Sequence, residues 1–146
     1  MTHPTPTLDS RLVGLTHYAS RTLLERLLAR TGTTFDQSVA LRALADHGGT
    51  LEHTALVARL RDGLKIGDEA VARTAVDTLI AEGLLEIAQE RVSLTDRGRD
   101  LSDGIQAGAR EIASRLYAGI PQEDLETAGR VLTLVLERAN ADLAAA

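Results

Sequence analysis

At 146 residues, with 44% apolar and 25% charged residues, the chain has the balance of an ordinary folded domain, which excludes wholesale disorder. It contains no Cys, which excludes disulfides, a thiolate nucleophile and Cys-ligated zinc or iron–sulfur. The net charge of -5 works against a nucleic-acid binder, and apolar runs such as Val131–Leu136, broken by Thr133, are too short to span a bilayer. The start MTHPTPT has neither the basic nor the apolar segment of a signal peptide, so a soluble, cytoplasmic protein is expected. The only aromatic residues are Tyr18, Phe35 and Tyr117, so the core must be built from Leu, Val, Ile and Ala, a choice that favours helix packing.

In chain order, Leu8–Arg30 repeats apolar residues at Leu8, Leu12, Leu15, Ala19, Leu23 and Leu27, which is helical spacing. Thr31–Thr34 stops this helix and caps the next, predicted over Phe35–His47 with Phe35, Val39, Ala43 and Leu44 inward. Gly48-Gly49 closes it. Thr50-Leu51 reads as a short extended piece and Glu52–Leu60 as a short helix burying Ala55, Leu56 and Leu60. Asp62–Gly67 is a predicted turn. Asp68 then caps a helix over Glu69–Glu82 whose inner face is Ala72, Ala75, Val76 and Leu79, ended by Gly83. Leu84–Ala88 and Arg91–Leu94 form a predicted hairpin with Gln89-Glu90 at its tip.

The last third is helical again. Thr95 or Asp96 caps a helix carrying Leu101, Ile105, Ala109, Ile112 and Leu116. Gly119-Ile120-Pro121 interrupts it, and a final helix carries Leu125, Ala128, Leu132, Val135, Leu136, Ala139 and Leu143 before a fraying Ala144–Ala146 tail. The fold class is therefore mainly α with a small β-hairpin wing (α+β). The order describes a winged helix-turn-helix flanked by long terminal dimerisation helices, too apolar on too many faces for one small domain to satisfy. The implied bounds are residues 1–34 for a leader and dimerisation helix, 35–100 for the winged helix, and 96–146 for the C-terminal dimerisation helices.

Three segments carry a resemblance. They are Val76-Asp77-Thr78-Leu79-Ile80-Ala81-Glu82-Gly83-Leu84-Leu85, then Val92-Ser93-Leu94-Thr95-Asp96-Arg97-Gly98-Arg99, and upstream Phe35-Asp36-Gln37 through Leu41-Arg42-Ala43-Leu44-Ala45. Their order and spacing resemble the MarR family of bacterial regulators, named for multiple antibiotic resistance, over nearly the whole chain. The resemblance implies a homodimeric transcription regulator, a repressor, on a pseudo-palindromic double-stranded DNA operator. Its recognition helices would enter successive major grooves and its wings the flanking minor grooves. It also implies release by a small effector, commonly phenolic or otherwise aromatic. Family wings carry a D-x-R-D-x-R pattern; here the tip is Ala88-Gln89-Glu90-Arg91, with Arg91 its one basic residue.

On that reading the DNA-binding candidates are Lys65, Glu69, Arg73, Thr74, Asp77, Arg91, Arg97 and Arg99. Arg73 faces away from Ala72 and Val76 and can bond guanine O6 and N7, whereas a bland reading pairs it with Asp77 on the helix surface. Glu69 can accept from cytosine N4, although an acid in a first turn more often offsets the helix dipole. Thr74 and Asp77 share or flank that face. Lys65, Arg91, Arg97 and Arg99 are candidate phosphate contacts. Against them, residues 48–100 hold seven basic and ten acidic side chains, a net charge of -3. That balance motivates the alternative, a winged-helix dimer that binds a protein partner or ligand without DNA.

The resemblance places an effector cavity between the dimerisation helices and the winged domain, which makes His17, Tyr18 and Arg21 the candidate effector residues; ordinary polar rim residues of an interface are the plainer reading. His47 and His53 flank Gly48-Gly49 without an obvious third ligand, so no metal site is expected. No G-x-S-x-G, phosphate-binding loop or H-E-x-x-H is present, so neither catalysis nor a cofactor is expected.

Overall fold

A computed structural model describes residues 4–64 and 68–145. The first helix, α1 (Ser10–Ala29), starts where Asp9 accepts a hydrogen bond from the Leu12 amide at 2.8 Å. It is followed by α2 (Phe35–Asp46), β1 (Thr50–Glu52), α3 (His53–Leu64), α4 (Glu69–Ala81), β2 (Leu85–Ala88), β3 (Arg91–Leu94), α5 (Asp96–Leu116) and α6 (Gln122–Ala145). The short strands make one antiparallel sheet in the order β1-β3-β2. Thr50 pairs with Ser93, and Leu85 with Leu94, so β3 is the central strand.

By packing the chain divides into two compact units, Met1–Ile112 and Ala113–Ala146. The first holds α1, the winged part and most of α5. Leu28 of α1 is buried, and Gly108 of α5 lets the Leu27 side chain approach so closely that an added Cβ would lie 2.7 Å from it. The second unit holds the last turn of α5 and all of α6, whose Val131, Leu132, Leu134, Val135, Leu136 and Leu143 are exposed.

The core of the first unit is aliphatic throughout. Ala40, Leu41 and Leu44 of α2 meet Leu56, Val57 and Leu60 of α3, Ala72, Val76 and Leu79 of α4, and Leu84, Leu85, Val92 and Leu94 around the wing. Each fully buried Leu or Val contributes roughly 1.5–3 kcal/mol relative to exposure. The inner face of α4 is as its spacing predicts. On α2 the buried residues are Gln37, Ser38, Ala40, Leu41 and Leu44, so of the expected inward set only Leu44 is fully buried. Gln37 is drawn in by a capping box: it accepts from the Thr34 amide at 3.0 Å, while Thr34 Oγ1 accepts from the Gln37 amide at 3.1 Å.

The bounds of α3 also differ from expectation. Glu52 stays in the strand opposite Arg91, and the His53 amide donates to the Glu90 carbonyl at 2.8 Å, which delays the helix by one residue. At its other end Arg61-Asp62-Gly63-Leu64 continue the helix instead of turning. A single glycine costs a helix only about 1 kcal/mol, less than it takes to break a turn anchored by buried Leu60. Residues 65–67 lie outside the described residues. The last helix runs through Ala145, and Ala146 lies outside the described residues.

Candidate nucleic-acid interface and ligand pocket

Asp68 sets the start of α4, its carboxylate accepting from the Ala70 amide at 2.8 Å. With Ala72, Ala75, Val76 and Leu79 committed to the core, the solvent side of the helix carries Glu69, Ala70, Arg73, Thr74, Asp77 and Ala81, all exposed. Four of the candidate DNA-binding residues therefore share this surface. Arg73 does not pair with Asp77: its Nη2 donates to Glu69 Oε1 at 3.1 Å, one turn back. An acid four residues before a base is the favoured orientation on a helix, because the acid then also sits at the positive end of the dipole. Thr74 turns its hydroxyl back to the Ala70 carbonyl at 2.9 Å. Among the described residues Asp77 forms no ion pair.

The candidate phosphate contacts are dispersed. Arg91 is exposed in β3, opposite Glu52 on one side and Ala88 on the other. Arg97 Nη1 donates to the Glu82 carbonyl at 3.2 Å, satisfying a free acceptor at the C-terminal end of α4. That position is about 20 Å of helix away from Glu69. The Arg99 guanidinium lies against Gly49, whose added Cβ would be 3.1 Å from Nη2. Lys65 lies outside the described residues. The wing is a two-residue turn in which Gln89 and Glu90 take φ of 51° and 66°, left-handed values usually supplied by Asn or Gly.

A separate cavity of about 170 Å³ opens between α1, α2 and α5. Leu24, Phe35, Val39, Leu41, Ile105 and Ala109 make its apolar wall, and Ser38, Arg42, Ser102 and Gln106 supply polar atoms. Ser38 and Ser102 are both buried; Ser38 donates to the Phe35 carbonyl at 2.7 Å, and Ser102 accepts from Gln106 Nε2 at 3.2 Å. Arg42 at the edge pairs with Asp46 at 3.5 Å. The wall presents an apolar surface with its hydroxyls engaged.

Of the three candidate effector residues, only Arg21 approaches this cavity. Its guanidinium stacks over the Phe35 ring at 4.1 Å from the centroid and bonds Glu25 at 3.0 Å. His17 and Tyr18 lie further towards the start of α1, their rings tilted against each other at 5.6 Å, with Tyr18 68% exposed. They do not line the cavity. The sequence signal for the cavity is the small residue Ala109 in α5, which lines it together with Phe35 at the start of α2, a pairing visible only once the helices are packed. His47 bonds the Ala43 carbonyl at 2.8 Å, and among the described residues no three metal-ligating side chains come together.

No family model and no curated protein sequence matches the chain. Solved structures do. A MarR family transcriptional regulator from Silicibacter pomeroyi superposes with a TM-score of 0.71 at 24% identity, covering 91% of this chain and 89% of that one. The MarR family protein Rv2887 of Mycobacterium tuberculosis, in complex with salicylic acid, gives 0.66 at 22% identity, covering 89% and 99%. BpsR of Bordetella bronchiseptica, whose DNA binding is regulated by 6-hydroxynicotinic acid, gives 0.62 at 24% identity, covering 93% and 98%. No helix among the described residues is long and apolar enough to cross a membrane. This chain has the fold of the MarR-family winged-helix regulators.

Proposed function

We propose that the chain is a homodimeric, sequence-specific DNA-binding transcriptional regulator, a repressor released from its operator by a small molecule. The observation that carries this reading is the exposed face of α4, which projects Glu69, Arg73, Thr74 and Asp77 from a winged helix. Arg73 and Thr74 read bases, and Lys65, Arg91, Arg97 and Arg99 hold the backbone. The apolar side chains left exposed at Leu8, on α1 (Leu12, Val13, Leu15) and on α6 support pairing with a second copy of the chain. The cavity beside Phe35 supports an effector of one aromatic ring, since an apolar cavity on the order of 150 Å³ admits benzene.

The test is titration of the purified protein against the DNA upstream of its own coding region, at two salt concentrations, with random DNA as competitor. Sequence-preferring binding with a negative log–log salt slope is expected. Binding no better than to random DNA at low salt, with and without phenolic ligands, overturns the reading. That outcome favours the second reading, a dimer that docks a protein partner without DNA. Its supporting observation is the -3 balance of residues 48–100, with Arg73 already neutralised by Glu69.

A further inference from the structure

Glu69 and Arg73 form one chemical unit. Glu69 Oε1 accepts from Arg73 Nη2 at 3.1 Å, and the two side chains remain 53% and 56% exposed on the solvent side of α4. The contact uses one of the five guanidinium N–H donors and one of the two carboxylate oxygens, so a donor fork and an acceptor remain available side by side. A G·C pair displays in the major groove two acceptors, guanine N7 and O6, beside one donor, the cytosine N4 amino group. Two donors beside one acceptor are its complement. An A·T pair interposes the adenine amino group between its acceptors, and a guanidinium donor set against that group is left unpaired.

We propose that Glu69 is a specificity-determining residue that, with Arg73, reads a single G·C pair of the operator as one donor–donor–acceptor unit. This rests on the DNA-binding reading above. Position supports it: Glu69 is the first residue of α4, and the N-terminal residues of a recognition helix are those that meet base edges. So do its neighbours. Ala70 and Thr74 are short, so neither displaces Glu69 or Arg73 from the pair they read.

The unit has a second consequence. Glu69 cancels the charge of Arg73 and thereby weakens sequence-independent attraction to phosphates. Removing the carboxylate has two opposed effects: discrimination falls while general affinity for DNA rises. A merely structural ion pair gives the rise in general affinity but leaves the site preference unchanged.

The experiment uses the full chain as wild type, Glu69→Gln, Arg73→Ala and Arg73→Lys. Each is used to select from a random duplex library, then titrated against the selected site and its G·C→A·T variant at two salt concentrations. Wild type is expected to enrich a site with a fixed G·C pair. Glu69→Gln is expected to lower the preference for that pair roughly tenfold. It should also bind random duplex more tightly, with a log–log salt slope steeper by about 0.9. Arg73→Lys, which keeps the charge but lacks the planar fork, is expected to lose the preference even if Glu69→Gln folds poorly. Variants that keep the wild-type site preference overturn the proposal, whatever their salt slope, while leaving DNA binding intact. A wild-type protein that enriches no sequence overturns the DNA reading itself and this proposal with it.

Discussion

Gly98 sits so close to the carbonyl of Leu84 that a Cβ on it would penetrate the carbonyl oxygen and lie 2.9 Å from the carbonyl carbon. The approach belongs to a small bonded joint. The Thr95 amide donates to the same Leu84 carbonyl at 3.2 Å, Thr95 Oγ1 donates to the Gly83 carbonyl at 2.8 Å, and the Gly98 amide donates to Thr95 Oγ1 at 3.0 Å. The end of α4, the entry to the wing and the start of α5 are thereby fixed to one another. Gly98→Ala is expected to destabilise the protein by about 1–3 kcal/mol, because the blocking atom is backbone and cannot rotate away. Gly104, in the same helix, has nothing within 4 Å of an added Cβ. There, alanine is expected to stabilise by up to about 1 kcal/mol through helix propensity. Urea unfolding of the two variants checks the opposite signs; equal shifts would remove the steric account of the joint.

The wing turn stores strain that can be relieved. Gln89 and Glu90 hold left-handed backbone at φ of 51° and 66° without being glycine or asparagine. Replacing Gln89-Glu90 by Asn-Gly keeps the turn type and is expected to stabilise the fold by about 1 kcal/mol, measured by thermal or urea unfolding. The same change removes an acid beside Arg91, so affinity for DNA is expected to rise modestly at low salt. A drop in stability would mean that the Glu90 side chain contributes more than its backbone costs.

What the sequence made legible were segments where one pattern settles the outcome. In α4 a single 3.6-residue stripe is bracketed by Asp68 and Gly83, and its inner face came out residue for residue. The wing was equally readable, since two short β-rich runs leave only Gln89-Glu90 between them. In α2 the pattern is ambiguous because the helix is covered on two sides. Ala40 and Leu44 face the core, while Phe35 and Val39 face the cavity, so no single stripe describes it. The Thr34-x-x-Gln37 capping box was present in the sequence as a signal for the burial of Gln37. The reversal of the Arg73 pairing from Asp77 to Glu69 depends on rotamer choice, which spacing alone leaves open, since both acids lie four residues away.

The cavity beside Phe35 can be tested by filling it. Ala109→Leu adds three carbons to its wall, where Leu24, Phe35 and Ile105 already present apolar surface. Filling an apolar void is expected to stabilise the fold by about 0.5–2 kcal/mol. With phenol, a single aromatic ring, as the probe, calorimetry is expected to show binding to wild type and at least tenfold weaker binding to the variant, with DNA affinity unchanged in the absence of ligand. Undiminished binding to Ala109→Leu would place the ligand elsewhere, with His17 and Tyr18, whose tilted rings lie outside the cavity, the next candidates.

The apolar surface of α6 sets the last expectation. Leu136 is 59% exposed and is flanked at helical spacing by Leu132, itself exposed, a pattern that water alone does not favour. If a second copy covers this face, a closed two-fold arrangement counts each substitution twice. Burying one leucine is worth roughly 1.5–3 kcal/mol, so Leu136→Glu in both copies should cost the dimer at least about 3 kcal/mol before any penalty for a buried carboxylate. That corresponds to more than a hundredfold in the dissociation constant. Sedimentation equilibrium over a range of protein concentrations is expected to show a wild-type dimer and a largely monomeric variant at the same micromolar loading. Because the face lies on α6 and is not part of the aliphatic core, the far-ultraviolet circular dichroism of the winged part should persist. A variant that stays dimeric would place the pairing surface on Leu8 and on Leu12, Val13 and Leu15 of α1 instead, and the same substitution at Leu12 would then be the decisive one.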